Sequence, residues 1–223
     1  AALVDSDAAL GVLPMGTLNH FAKDMKIPLD LEQAVSTLFM GVEARVDIGE
    51  VNGRFFLNNS SVGFYPRIVR EREQLQLHGE PKWLAFAHAV AHVVRHGITM
   101  HVLLEDDQEG AHPIETPFVF VGNNPYNLTG LEIGTRARLD GGTLWLCTAP
   151  YAGRTKLLRL ALGALLGWVD AAGLLRRDVK AVQIHTRRRQ LLVARDGEVG
   201  VMQTPLHYRV RPGALRVLVP KEG

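Results

Sequence analysis

Between residues 42 and 49 the chain adopts a two-residue period. Val42, Ala44, Val46 and Ile48 alternate with Glu43, Arg45, Asp47 and Gly49, which is the pattern of a strand with one face on a core and the other in water. Asn52-Gly53 follows at once. Both residue types accept positive φ, so the dipeptide marks a tight hairpin, and Phe55 to Asn58 is the returning strand. The same pattern recurs downstream. Ile98 to Leu104, Thr116 to Gly122, Leu144 to Thr148, Val182 to Thr186, Leu191 to Ala194, His207 to Val210 and Leu215 to Val219 read as further short strands. Many short strands separated by glycine and proline specify a sandwich or barrel. The expected class is α+β, mainly β, with a sandwich or barrel over residues 41–223 and a few helices.

Residues 1–40 read differently, and residues 1–25 read as the end of an α/β unit. Ala8 to Leu13 suits a buried strand, Pro14-Met15-Gly16-Thr17 breaks it, and Leu18 to Met25 begins a helix. Asp30 caps a second helix, Leu31 to Met40, which Gly41 ends. Two later helices are predicted, Pro81 to Arg95 and Lys156 to Leu175, the second weakened by Gly163, Gly167 and Gly173. Glu105 to Gly110 reads as an acidic, solvated loop.

With 47% apolar residues in 223, the chain has enough material for a core. A net charge of +2 gives no argument for nucleic acid as a partner. The single cysteine, Cys147, sits in the apolar run Leu144 to Thr148 and reads as core. No stretch reaches the ~20 apolar residues that span a bilayer, and a cytoplasmic location is expected. The opening Ala-Ala-Leu-Val lacks methionine, so a fragment is expected.

Two segments carry chemistry. Gly16-Thr17-Leu18-Asn19 offers a close-approach glycine, a hydroxyl and an amide at a helix start, groups that suit a nucleotide phosphate. A plain strand–turn–helix joint with Thr17 as N-cap explains the same residues. Asp196-Gly197-Glu198 puts two carboxylates on either side of a glycine. It reads as a hairpin turn and equally as an exposed general base.

Taken in order, these segments resemble the diacylglycerol kinase family, ATP-dependent lipid kinases that include sphingosine and ceramide kinases. Pro14-Met-Gly-Thr-Leu-Asn-His-Phe-Ala22 is similar to the family's Pro-Leu-Gly-Thr-x-Asn-Asp-Phe-Ala segment, with His20 in place of aspartate. Phe56 to Gly63, Phe120-Val-Gly-Asn123, Ala137 to Leu144, Asp196-Gly-Glu198 and Pro212 to Pro220 resemble later family motifs in the same order. The resemblance implies a two-domain kinase, with ATP bound in the cleft between an N-terminal α/β nucleotide-binding domain, of which residues 1–40 are the remnant, and a two-layer, NAD kinase-like β-sandwich over residues 41–223, and with ATP and Mg2+ as cofactors. It implies Asp196 as the base, with Glu198, Gly16, Thr17 and Asn19 holding nucleotide and metal. The family's Gly-Gly-Asp-Gly-Thr nucleotide loop is expected upstream of Ala1, so the fragment alone is expected to be inactive. A structural magnesium of some members would fall near Asp140, although Gly141 stands at the aligned aspartate position.

The implied reaction is transfer of the γ-phosphoryl group of ATP to a hydroxyl of diacylglycerol or a similar lipid, with the acyl chains in the apolar space between the sheets. The alternatives are a non-catalytic lipid-binding or membrane-docking module and a kinase of a small soluble alcohol, NAD kinase-like. His88, His92 and His96 have metal-ligand spacing on one helix but read as its solvated stripe. Arg187-Arg188-Arg189 reads as an exposed turn or as a contact with anionic headgroups. Arg154, Lys156, Arg159, Arg176 and Arg177 flank the apolar helix Leu157 to Leu175, which reads as an amphipathic helix packed on the sheet or as a like contact with headgroups. The expected partners are a lipid substrate and an anionic membrane surface touched peripherally, and a homodimer is compatible with the sequence.

Overall fold

A computed structural model describes residues 1–16, 19–77, 81, 84, 88, 91, 99–127, 134–150 and 173–221. Thr17, most of the expected helix Pro81 to Arg95 with His92 and His96, and the expected helix from Lys156 to residue 172 lie outside them.

The described strands form two sheets. The first runs in the order β3 (Arg54–Phe56), β2 (Val42–Val51), β13 (Leu206–Val219), β10 (Ala181–His185), β5 (Met100–Asp106), β6 (Gly110–Thr116), and β1 (Ala9–Leu10) joins it parallel to β13. The second runs β12 (Glu198–Gln203), β11 (Gln190–Arg195), β4 (Asn59–Gly63), β7 (Phe118–Asn123), β8 (Leu144–Thr148), β9 (Leu175–Val179), all antiparallel. The two inner faces form the sandwich core: Val51, Leu104, Ile184 and Tyr208 from one sheet meet Val62, Val121, Leu146 and Val193 from the other. Each fully buried side chain of this kind contributes about 1.5–3 kcal/mol by its removal from water. The space expected to take acyl chains is therefore filled with protein side chains.

Helices α1 (His20–Asp24) and α2 (Leu31–Met40) lie at one end of the first sheet. Phe21 packs with Val46, Leu139 and Leu215, and Ala34 with Ala22 and Ile27. Asp30 caps α2 as expected, its carboxylate accepting from the Gln33 N–H at 3.0 Å. The hairpin at Asn52-Gly53 also forms, with φ of 45° and 76° and Val51 paired to Arg54. Gly49 has a separate role. The Phe56 ring lies flat over it, and a Cβ there would sit 2.1 Å from the ring.

Several expectations are corrected. His207 to Val210 and Leu215 to Val219 belong to one strand, β13, whose register breaks between Arg211 and Leu215. Helix α3 (Phe64–Leu77) was not expected. Its sequence is mostly polar, with Ile68 and Val69 buried, and Pro66 sits in the first turn, where its missing N–H costs nothing. Asp47 does not face water but is 2% exposed. Arg176, Arg177 and Leu175 stand on strand β9, not at the end of a helix.

The acidic segment Glu105 to Gly110 is the tight turn of the β5–β6 hairpin. The Asp106 carboxylate is buried there and accepts from the N–H groups of Gln108 at 2.9 Å and Glu109 at 2.8 Å and from Arg177 at 3.0 Å. Burial alone would raise its carboxyl, but these donors outweigh burial and hold it below the ordinary carboxylate range. The stabilisation is thus complete above the unfolded value of about 3.9 and is lost as pH falls through the lower folded value. Asp106→Asn should destabilise the chain by about 1–3 kcal/mol at ~pH 7 and by progressively less toward ~pH 3, measured by urea denaturation.

Cys147 is buried on β8, and burial pushes its thiol up to about 12. Thiolate is the reactive form. A maleimide should therefore leave the folded chain unlabelled at ~pH 8 and label it stoichiometrically in denaturant, as read by mass spectrometry.

Candidate active site

Asp196 and Gly197 are the two central residues of the β11–β12 hairpin, with φ of 47° and 91° and Arg195 paired to Glu198. Positive φ at both positions is the condition for the hairpin turn whose twist matches its strands, so the hairpin reading of this segment holds. The turn also presents a carboxylate. Asp196 Oδ2 accepts the Leu57 N–H at 2.7 Å, and Oδ1 accepts those of Asn58 at 2.7 Å and Asn59 at 3.2 Å. The Asp196 N–H in turn donates to the Asn59 carbonyl at 2.9 Å. A carboxylate has about four acceptor positions. Three are filled, and by this count the fourth is on Oδ2 of a solvent-exposed side chain. Glu198, two residues on, is also exposed at the start of β12.

The loop that grips Asp196 is itself held from below. Arg136 is buried. Its Nη1 donates to the carbonyls of Leu57 at 2.8 Å and Asn123 at 3.1 Å, and its Nη2 donates to Asn58 Oδ1 at 2.8 Å. Its Nε meets Asp24 Oδ2 at 2.7 Å, and both side chains of this ion pair are almost fully buried. The guanidinium also lies 5.3 Å from the centre of the Tyr126 ring. The Tyr126 hydroxyl donates to the Asn58 carbonyl at 3.1 Å. Burial, with smaller contributions from the charges of Asp24 and Asp196, pushes that hydroxyl above its ordinary value, against the pull of Arg136 and Asn59.

Asp24 closes helix α1, which follows the Pro14-Met-Gly-Thr segment. The path Asp24–Arg136–Asn58–Asp196 therefore joins the two chemically suggestive motifs through consecutive hydrogen bonds of 2.7, 2.8 and 2.7 Å. Thr17 itself is not among the described residues. Gly16 is exposed. Asn19 has φ 49° and shapes the turn: its Oδ1 accepts the Gly16 N–H at 2.9 Å and its Nδ2 donates to the Pro14 carbonyl at 3.1 Å. It caps α1 by position, without a side-chain bond to the helix.

Asp140 does not fit a resident metal. Its carboxylate is exposed and paired with Arg138 Nε at 2.8 Å, and that hydrogen bond holds it below its ordinary range. No group of three or more His, Cys, Asp or Glu side chains able to hold a metal occurs among the described residues. The buried acid nearby is Asp47. Its Oδ2 accepts from the Gly142 N–H at 2.6 Å and Asn124 Nδ2 at 3.2 Å, and its Oδ1 accepts the Gly213 N–H at 2.9 Å. Asn123 Nδ2 bridges the Asp47 and Leu57 carbonyls at 2.8 and 3.0 Å. Asp47 thus ties the irregular part of β13 and the loop before β8 to the middle of β2, beside the end of β7 at Asn123. Sequence reasoning missed Asp24, Asp47, Arg136 and Tyr126. Their one signal was Asp24's place in the extension of the Pro14 motif, because Asp24 and Arg136 are 112 residues apart.

Comparison with known proteins agrees with this architecture. The diacylglycerol kinase catalytic domain matches residues 1–51, and the YegS C-terminal NAD kinase beta sandwich-like domain matches residues 61–219. A diacylglycerol kinase of Staphylococcus saprophyticus is 40% identical over 63 residues, 28% of this chain and 21% of the relative. A probable lipid kinase YegS-like of Enterobacter sp. is 43% identical over 75 residues, 31% of this chain and 25% of the relative. The matched segments thus span a quarter or less of those relatives. Among solved structures, a putative diacylglycerol kinase from Bacillus anthracis superposes with a TM-score of 0.68 at 20% identity, covering 96% of this chain and 70% of its own. That likeness is one of fold. Because the sandwich-domain match takes in well over half of its residues, the chain belongs to the YegS-like and diacylglycerol kinase family of lipid kinases.

Proposed function

We propose that this chain supplies the acceptor-side half of an ATP-dependent lipid kinase, with Asp196 as general base. The carrying observation is the continuous hydrogen-bonded path from helix α1, through Arg136, to the loop that grips the Asp196 carboxylate. It couples the segment matched to the catalytic domain to the β11–β12 turn, so a nucleotide held by the first would face the acid on the second. The donor is ATP, which brings magnesium as part of the nucleotide substrate, where the ion neutralises phosphate charge.

The acceptor hydroxyl is a lipid alcohol of the diacylglycerol type. Its oxygen attacks the γ-phosphorus. A new O–P bond forms, the bond from the γ-phosphorus to the bridging oxygen breaks, ADP departs, and the hydroxyl proton passes to Asp196 Oδ2. The transition state of such a transfer is loose, so most of the catalysis is positioning. Three main-chain N–H groups fix the base for that purpose. Gly16 contributes to the turn that approaches the nucleotide, Asn19 holds that turn in shape, Thr17 contacts the nucleotide, and Glu198 stands beside the base at the mouth of the site. The lipid is met at the bilayer surface, and no helix among the described residues is long and apolar enough to cross a membrane.

The test is transfer of labelled γ-phosphate from ATP to diacylglycerol by the intact enzyme that contains this chain. Asp196→Asn keeps the shape and an oxygen for the Asn58 and Asn59 N–H groups, loses the acceptor for the Leu57 N–H, and cannot take the proton. It should lower kcat by about 10²–10⁴-fold, while diacylglycerol binding stays at the wild-type level. If the wild-type enzyme labels no lipid, or if Asp196→Asn labels it at the wild-type rate, the assignment is wrong. Labelling of NAD in place of lipid would move the acceptor to a soluble alcohol.

A further inference from the structure

Helix α3 lies against β4, β11 and β12 at the end of the second sheet remote from Asp196. Between the helix, the start of β5 and the turn joining β10 to β11 runs a groove of about 970 Å³. Asp196 follows the last residue of β11, whereas the groove takes in its first residues, Gln190 to Leu192. At ~3.3 Å per residue, the four to six residues between them separate the two by about 13–20 Å. This groove is therefore not the place where the acceptor hydroxyl meets Asp196.

Its lining is dominated by arginine. Arg67 and Arg70 project from α3, and Arg187 and Arg188 from the β10–β11 turn. Glu71 is the one carboxylate on the described lining. None of the four guanidiniums is ion-paired to a carboxylate among the described residues. Arg67 is half-buried, and burial, together with the like charge of Arg188, disfavours its charged form. Like charges gathered in a concavity raise the local positive potential and attract anions. The rest of the wall is mixed: Met100, Leu191 and the exposed Val201 are apolar, and Thr99, His101 and Gln190 are polar.

We propose that the Arg67–Arg70–Arg187–Arg188 groove is a binding site for a phosphate monoester, separate from the phosphoryl-transfer site. A guanidinium presents a planar fork of N–H donors that matches phosphate oxygens. Guanidiniums from two elements, facing one concavity, suit a dianion better than a single carboxylate. The volume far exceeds that of inorganic phosphate and lies at the upper end of small-molecule pockets. The mixed polar and apolar wall beside the arginines accounts for the excess, as it accepts the organic part of the ester. That ester is either a soluble metabolite or the headgroup of a lipid whose terminal phosphate is free, and the chemistry at the arginines is the same for both.

Binding is measured on the 223-residue chain at fixed ionic strength, without any need for kinase activity. Glycerol 3-phosphate is titrated calorimetrically, and flotation is run with phosphatidylcholine vesicles with and without phosphatidic acid. Arg67→Ala and the turn variant Arg188→Ala should each weaken binding about tenfold or more, and Arg188→Lys should do so less, because it keeps the charge and loses the fork. Arg45→Ala, an exposed arginine on the first sheet, should bind as wild type. Saturable binding of the soluble ester identifies a metabolite site, and binding confined to phosphatidic acid vesicles identifies a lipid headgroup site; either supports the proposal. It is overturned if neither probe binds, if both Arg67→Ala and Arg188→Ala bind as wild type, or if Arg45→Ala weakens binding as much as they do.

Discussion

The buried guanidinium of Arg136 is the constraint on which the site rests. Removing an arginine from water is costly, and the cost is offset only where its N–H groups find acceptors. Here they find the Asp24 carboxylate, the Asn58 side-chain oxygen and the carbonyls of Leu57 and Asn123. These acceptors belong to helix α1, to the loop between β3 and β4, and to the end of β7. The charge therefore fixes three parts of the chain relative to one another, because displacing any of them would leave it short of partners. Tyr126 covers the guanidinium from one side and ties its own hydroxyl to the same loop. The loop's remaining N–H groups point outward at Asp196. The carboxylate is thus held by main chain that is itself held by a buried ion.

A second acid does comparable work a short distance away. Asp47 gathers the N–H groups of Gly142 and Gly213 and the amide of Asn124 around one buried carboxylate. Two of those donors are main-chain groups in irregular segments, which no strand ladder satisfies. The register break in β13 and the loop before β8 are stable because Asp47 completes their hydrogen bonds. Asn123, beside it, links Asp47 to the carbonyl of Leu57. The two buried networks therefore meet at Leu57, immediately under the Asp196 turn.

Much of this fold could be read from the chain because short-range rules govern it. The two-residue period located β2, Asn52-Gly53 located its hairpin, and the apolar run at Leu144 located β8. The misreadings have several causes. Asp106 and Asp47 were read as solvated because acids usually are, but Asp106 is held by the nearby N–H groups of Gln108 and Glu109 together with the distant Arg177, and Asp47 by the distant Gly142 and Gly213. Helix α3 escaped notice because its apolar positions are too few to set a period. Arg177 was assigned to a helix flank because nothing near it in the chain signals a strand.

The candidate site divides in the same way. The residues of the Asp196 turn are a local matter: an aspartate and a glycine at a hairpin determine that a carboxylate is exposed there. The order of motifs determines the family. The sequence alone could not show that Leu57, Asn58 and Asn59 would aim their N–H groups at that carboxylate, or that a pair as distant as Asp24 and Arg136 would brace them. Periodicity and turn chemistry act over a few residues, whereas the partner of a buried charge is chosen by which surfaces the folded sheets bring together. That choice belongs to the tertiary structure.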